Sequence, residues 1–532
     1  DVERSRGLGD VYKRQVPTGG AAGCTTALVG TATPGWCTGG AAQSGTGNGM
    51  FSNLTSITID SGGTLYATDY YRVQKFTAST GVFGGWIGKI QTSPTGGAAG
   101  CNGATSGNFT PGWCLGGTAN LGSGNGMLST AQGIFADSSG SLYVADSGNG
   151  RISKYTASTG AFVGWIGNVG GSPTGGAVGC NGAAIDTVTP GWCTGGSGAS
   201  KDGGSGQLNG PAGVFADTGG NSYVSSSNNG MIAKYNAGTG AFIGWIGKIG
   251  SSPTGGDAGC NGAAVGTLTP GWCVGGSSDG GTSLGMLRVP VGIYVDSSGN
   301  LYIADTYDSR INKYTASTGA PLGALGIVST FQPWNTTSLT SGAGVGDGMI
   351  NASYGLRAEK SGYLYVADTL NARVNKYVTS TGAFVGWIGK IQTSPTGGAA
   401  GCNGAAIGAA TPGWCTGGTS TGGTDDGMFG NTFDVVEDSS GYLYVSDFTN
   451  HRIMKFIANT GAFVGWIGAV NTSPTGGSVG CAGASAGTFT PGWCTGGTST
   501  SGTGDGMLTT PTGLSIDSGG YLYVAEGLSL IH

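Results

Sequence analysis

Along most of the chain, apolar and polar residues alternate in short runs separated by Gly, Asn, Asp and Ser. Between residues 127 and 206 four such runs follow one another: Gln132 to Asp137, Leu142 to Asp146, Arg151 to Tyr155 and Ala161 to Gly167. A side-chain period of two over so few residues predicts short β-strands. The breaks predict how the strands connect. Asp137-Ser-Ser-Gly140 has Asp at its first position and Gly at its fourth, the preferences of a type I turn, and Ala157-Ser-Thr-Gly160 also closes on Gly. The unit is therefore expected to be four antiparallel strands in chain order. It returns at intervals of about 79 residues, marked by Tyr66, Tyr143, Tyr223, Tyr302, Tyr365, Tyr444 and Tyr523.

Composition takes its meaning from that repeat. Gly and Pro make up about a quarter of the 532 residues, which without a period would point to disorder. With a fixed period the glycines become turn residues of a repeat architecture. Charged residues are only 9% of the chain and the net charge is -5, so no basic stripe is available to follow a phosphate backbone and nucleic acid is not expected as a partner. No apolar run approaches the roughly 18 residues of a membrane span.

One copy of the repeat reads Pro290-Val-Gly-Ile-Tyr-Val-Asp296, then Asn300-Leu-Tyr-Ile-Ala-Asp305, then Arg310-Ile-Asn-Lys-Tyr314. This motif resembles the NHL-repeat family of β-propellers, and the resemblance extends to all seven units. It implies an all-β propeller of four-stranded antiparallel blades. Six complete blades are expected at 50–89, 127–168, 206–248, 285–326, 349–390 and 427–469, with half of a seventh at 507–526. Closure into a disc would protect the sheet edges. Residues 1–15 and 527–532 match no unit and resemble translated sequencing-adapter sequence, so the propeller is expected to occupy 16–526 of what reads as a fragment.

Six times the chain carries a Gly-rich insertion, typified by Lys89 to Gly117 after a fourth strand, that the family's usual unit lacks. These insertions are expected around one face of the disc, and they hold all twelve cysteines. Cys24 pairs by position with Cys37, Cys101 with Cys114, Cys180 with Cys193, Cys260 with Cys273, Cys402 with Cys415, and Cys481 with Cys494, at one constant spacing. The simplest reading is one local disulfide per insertion, each worth about 3 kcal/mol on the chain-entropy model. Disulfides in turn predict an oxidising destination, extracellular or at the cell surface. Structural zinc would need four ligands, hence two neighbouring loops sharing one ion. The fourth unit lacks both the cysteines and the outer-strand Trp found elsewhere as Trp86, Trp165, Trp245, Trp387 and Trp466. Their joint loss predicts that this Trp packs on the disulfide loop.

Three further sets are candidates for chemistry. Asp and Arg flank the turn between second and third strands as Asp69 with Arg72, Asp146 with Arg151, Asp305 with Arg310, Asp368 with Arg373 and Asp447 with Arg452. Both are replaced in the third unit, by Ser226 and Met231. Paired loss predicts an ion pair inside the blade. Asp60, Asp137, Asp217, Asp296, Glu359, Asp438 and Asp517 end the first strands. They open turns, or else form a ring near the channel that could hold Ca²⁺. Trp36, Trp113, Trp192, Trp272, Trp414 and Trp493 lie in Thr-Pro-Gly-Trp-Cys segments. Exposed in an arc, they would bind sugars or a protein partner; buried, they would be cores of the loops.

Catalysis finds little support. The only histidines are His451 and His532, so a His-based triad or multi-histidine metal centre is not expected. NHL-like lyases carry metal-binding histidines in the propeller, and His451 matches none of them; it stands where sister units have Gly150, Ser309 and Ala372 and is expected to be solvated. The expected function is an extracellular, non-catalytic binding or structural scaffold without a cofactor, contacting protein or glycan through the inter-blade loop face. The alternatives are a propeller lyase or hydrolase with a metal in the channel, and a fibre-forming surface protein that self-assembles.

Overall fold

The computed structural model describes residues 19–26, 33–38, 44–201, 204–326, 334–336, 342–359, 361–504, 506–526 and 530–531. The proposed non-native stretch 1–15 lies outside the described residues, as does most of 527–532. Blade 2 shows the common plan. Strands Ala131–Ala136, Ser141–Asp146, Arg151–Thr156 and Phe162–Gly167 pair antiparallel in chain order. Leu142, Tyr143, Val144 and Ala145 of the second strand are all fully buried. A central strand with sheet on both edges and a blade against each face has no solvent side, so its sequence is apolar on both faces rather than alternating.

Seven inner strands line the axis: Leu54–Ile59, Ala131–Ala136, Pro211–Ala216, Pro290–Val295, Ser353–Ala358, Thr432–Glu437 and Leu514–Ile516. Each packs on the next, and Leu514–Ile516 also packs on Leu54–Ile59, which closes the ring at seven positions. The inner strands approach very closely. A Cβ on Gly133 would meet the Ala212 carbonyl oxygen at 2.4 Å, so a side chain there would push two blades apart. Blade 7 contributes Leu514–Ile516 and Leu522–Ala525, with the short Leu530–Ile531 paired beyond them.

The insertions leave the blades on the side of the second-to-third-strand turns and then fold back along the blade's outer edge. In blade 1 the outer strand lengthens to Phe83–Thr92; Cys114–Leu115 pairs with it at Trp86, and Gly96–Gly97 pairs with Cys114–Leu115. Two short strands thus extend the sheet outward, and insertions form the rim.

All six expected disulfides are present. Cys24 is bonded to Cys37, Cys101 to Cys114, Cys180 to Cys193, Cys260 to Cys273, Cys402 to Cys415, and Cys481 to Cys494, with Cα–Cα distances from 5.3 to 5.5 Å. The second cysteine of a pair also carries sheet pairing: Cys273, Cys415 and Cys494 stand opposite Trp245, Trp387 and Trp466 of their outer strands. Cys37 pairs instead with Gly20, in the two-stranded sheet that precedes blade 1. With every cysteine in a disulfide, no thiolate is left among the described residues for the shared zinc considered above.

The linker after each insertion ties the rim together. Asn48 Oδ1 accepts from Gly116 N at 2.8 Å, and Asp426 Oδ2 accepts from Gly496 N at 2.7 Å. No helix among the described residues is long and apolar enough to cross a membrane.

Candidate functional site

The tryptophans of the Thr-Pro-Gly-Trp-Cys segments do not form an exposed arc. Trp113, Trp192, Trp272 and Trp414 are only 5%, 5%, 2% and 4% exposed, while Trp36 and Trp493 are half-buried. Each ring lies between two blades. Trp113 packs on Tyr66 of blade 1, with ring centroids 5.8 Å apart, and its indole N–H donates to the Ala157 carbonyl of blade 2 at 2.9 Å. Trp192, Trp272 and Trp414 repeat both contacts around the ring. Trp493 keeps the tyrosine contact, with Tyr444. A buried Trp needs an acceptor for its N–H, and the turn of the next blade supplies one. Trp36 is decisive for closure: it packs on Tyr523 of blade 7 and donates to Ala78 O of blade 1 at 2.7 Å. The segment preceding blade 1 therefore occupies the insertion position that follows blade 7.

The lysine of the repeat, which the sequence left without a role, completes this joint. Lys154 Nζ lies 5.2 Å from the Tyr143 and Trp192 ring centroids and donates to Ala237 O at 2.6 Å. Burial pushes its pKa below the ordinary lysine value.

The outer-strand tryptophans behave as the fourth unit implied. Trp86 is fully buried against Cys101 and Cys114, and its N–H donates to Gly116 O at 2.9 Å. Trp165, Trp245, Trp387 and Trp466 are buried in the same way, each beside its own pair of cysteines. In blade 4, Ala324 holds that position and bridges to Asn335 instead of a cysteine. Trp334, however, still packs on Tyr302 and donates to Thr379 O at 3.0 Å. It is the fourth unit's interblade tryptophan, kept where the disulfide is absent.

The Asp–Arg pairs are buried ion pairs in five blades, with N–O distances from 2.8 to 3.2 Å. Each arginine does more than neutralise its partner. Arg151 also donates to the carbonyls of Ser123, Gly124 and Met127, fixing the linker that enters the blade. In blade 3, Ser226 Oγ accepts from Asn209 N at 2.9 Å, so the serine keeps the linker contact when both charges are gone.

The carboxylates ending the first strands serve their own turns, as the turn reading expects. Asp137 Oδ1 accepts from Ser139 N and Ser141 N, and its Oδ2 accepts from Tyr143 OH at 2.9 Å. Asp60, Asp217, Asp296, Asp438 and Asp517 cap their turns and take the tyrosine hydroxyl likewise. Glu359 departs from this, accepting from Glu437 N and lying 3.9 Å from Arg357. Among the described residues no group of three or more potential metal ligands comes together. His451 is not a solvated side chain either. It is half-buried, its Nδ1 accepts from Thr510 N at 3.1 Å, and burial lowers its pKa.

What remains is a region where the units are not copies. The residue after the second-strand Asp or its equivalent is Tyr70, Ser147, Ser227, Thr306, Thr369 and Phe448 in blades 1 to 6. Blade 1 carries Tyr70 and Tyr71 here, and on blades 4 to 6 aromatic and apolar side chains lie among Thr306, Ser309 and Asn351. Tyr354 and Phe433 stack with centroids 5.0 Å apart and planes 9° apart, and Phe448 continues the stack at 5.8 Å. Beside them, between blades 4 and 5, lies a cavity of about 390 Å³ whose walls include Val291, Thr306, Tyr307, Asn351, Tyr354 and Leu370. Tyr307, Leu370 and Tyr354 are 61%, 59% and 38% exposed. Solvent-facing apolar groups clustered on a concave surface make this the candidate site. Aligning the seven units with one another would have flagged these positions, because the fold does not explain their variation.

The NHL repeat family matches residues 287–314, which lie in blade 4. The chain is similar to a streptogramin B lyase structure at 10% identity and a TM-score of 0.43, over 92% of this chain and 94% of that one. It is also similar to virginiamycin B lyase from Staphylococcus aureus, at 8% identity and a TM-score of 0.42 over 90% and 93%. A computationally designed protein, Ika8, aligns at 11% identity and a TM-score of 0.39 over 92% and 97%. No curated protein matches the sequence. The chain thus carries a matched NHL repeat at residues 287–314, and that stretch belongs to one of seven units with the same strand order around a closed β-propeller.

Proposed function

We propose that this propeller is an extracellular, non-catalytic binding scaffold whose ligand contacts lie at the mouth of the ring, on the side from which the insertions depart. The observation that carries the reading is the loss of repeat symmetry there: Tyr354 and Phe433 stand where the other units have Thr55, Gln132, Ala212, Val291 and Thr512, and Tyr307 and Leu370 stand where blades 2 and 3 have Gly148 and Asn228. The six disulfides support an oxidising location. The burial of every outer-strand Trp beside its disulfide assigns the insertions to holding the rim.

The test is retention of the oxidised protein on immobilised extracellular proteins and polysaccharides, compared with a double variant carrying Tyr307→Ser and Leu370→Ser. Retention that falls in the variant while its thermal unfolding is unchanged supports the mouth as the contact surface. Retention equal in both places the contacts elsewhere and overturns the assignment.

A further inference from the structure

The chemistry of the mouth cavity narrows what it could hold. Among the described residues its walls contain no carboxylate, ammonium or guanidinium group. The nearby cation Arg288 lies over the Tyr307 ring at 3.9 Å and 3.8 Å from the Asp308 carboxylate, so its charge is already answered. A charged ligand would lose hydration on entry without a countercharge to replace it. The walls are not purely apolar either. The Asn351 side chain and the phenol hydroxyls of Tyr307 and Tyr354 have no hydrogen-bond partner among the described residues. They border aromatic and aliphatic surface from Tyr354, Leu370 and Val291.

A ligand matched to this wall is uncharged, has one face of C–H groups to lie on a ring, and carries hydroxyls around its edge. A pyranose has that form. The volume, about 390 Å³, is at the small end of ligand pockets, and the Tyr354–Phe433–Phe448 stack, with its rings against one another, continues from it across blades 5 and 6 as an apolar border. We infer that the mouth binds a neutral glycan, with one sugar ring in the cavity against Tyr354 and the chain continuing along the edges of the Phe433 and Phe448 rings. This rests on the mouth being the binding surface and adds the ligand class.

The experiment is calorimetric titration of the oxidised full chain with neutral oligomers of glucose, mannose, galactose and N-acetylglucosamine, with oligogalacturonate as the charged arm. A hydrophobic dye and an aromatic peptide are run in parallel. The expected result is binding of at least one neutral oligomer, weakened about tenfold or more in Tyr354→Ala, weakened less in Tyr354→Phe, and no binding of the acidic oligomer. Thermal unfolding of both variants checks that they fold. No neutral oligomer binding, or binding indifferent to Tyr354→Ala, overturns the glycan assignment. If the dye or peptide then still binds and is lost in Tyr354→Ala, the mouth survives as a site for another chemistry; if neither does, the mouth reading falls too.

Discussion

The rim and the mouth of this ring are built by the same repeated unit, yet they differ in how closely the copies agree. At the rim, seven Trp–Tyr contacts join successive blades, with centroids between 5.5 and 6.0 Å. At the mouth, equivalent positions hold Tyr70, Ser147, Ser227, Thr306, Thr369 and Phe448. Closing a ring imposes one requirement at every joint, so the residues that meet it recur. A ligand has no sevenfold symmetry, so residues that meet a ligand need not recur. Blade 4 separates two functions within the rim itself. It lacks the disulfide and the outer-strand Trp together but keeps Trp334, so the interblade tryptophan belongs to the joint and the outer one to the disulfide loop.

The sharpest way to break this comparison is at the joint. Trp192→Ala is expected to cost about 3–5 kcal/mol, as large aromatic truncations in cores do, and Trp334→Ala should cost a similar amount although no disulfide stands beside it. Equilibrium denaturation reads both; a small loss at Trp334 would mean that the disulfide carries the joint. Next comes the ion pair. Arg151→Met leaves Asp146 buried and uncompensated and should cost about 3–5 kcal/mol, whereas adding Asp146→Ser, which copies blade 3, should recover most of the loss. A double variant as unstable as the single one would show that Ser226 and Met231 are tolerated only in blade 3.

Removing one staple, by Cys180→Ala with Cys193→Ala, is expected to cost about 3 kcal/mol and to raise hydrogen exchange in that insertion alone. The smallest effect is in blade 4, where Asp305 and Asp308 are buried around Arg310. Burial pushes Asp305 up to about 6, and Asp308 is raised as well. A folded-state pKa above the unfolded carboxylate value of about 3.9 means that the stability from protonation is fully present below that value and is lost as pH rises through about 6. Asp308→Asn should therefore flatten the difference in melting temperature between pH 5 and pH 7, by about a degree or two. An unchanged difference would remove the pair from the titration.

Much of this was legible in the chain. The strand pattern around Tyr143, the cysteine pairing and the packing of Trp165 on its disulfide follow from local spacing or from joint loss in one unit, and these are short-range matters. Where Trp113 points was not legible, because it depends on how a Gly-rich insertion folds back along an outer strand and meets a turn 44 residues on. The Asp137 carboxylate was legible as a turn opener; its second oxygen meeting Tyr143 was not, since that contact crosses the strand pairing. Closure at seven positions depended on Trp36 reaching blade 7 from the other end of the chain. The mouth was readable in principle from differences between units, but nothing local distinguished Tyr307 or Leu370 from ordinary turn residues.

The claim that the repeated shell holds the ring while the unrepeated mouth meets the ligand is tested most directly by measuring stability and binding on the same two variants. Trp192→Phe and Tyr354→Ala would each be taken through thermal unfolding and titration with whatever the wild-type protein retains, at a temperature where all three are folded. The account predicts that Trp192→Phe loses stability and keeps its affinity, whereas Tyr354→Ala keeps its stability and loses affinity. The reverse pattern, with affinity following Trp192 and indifferent to Tyr354, would contradict it.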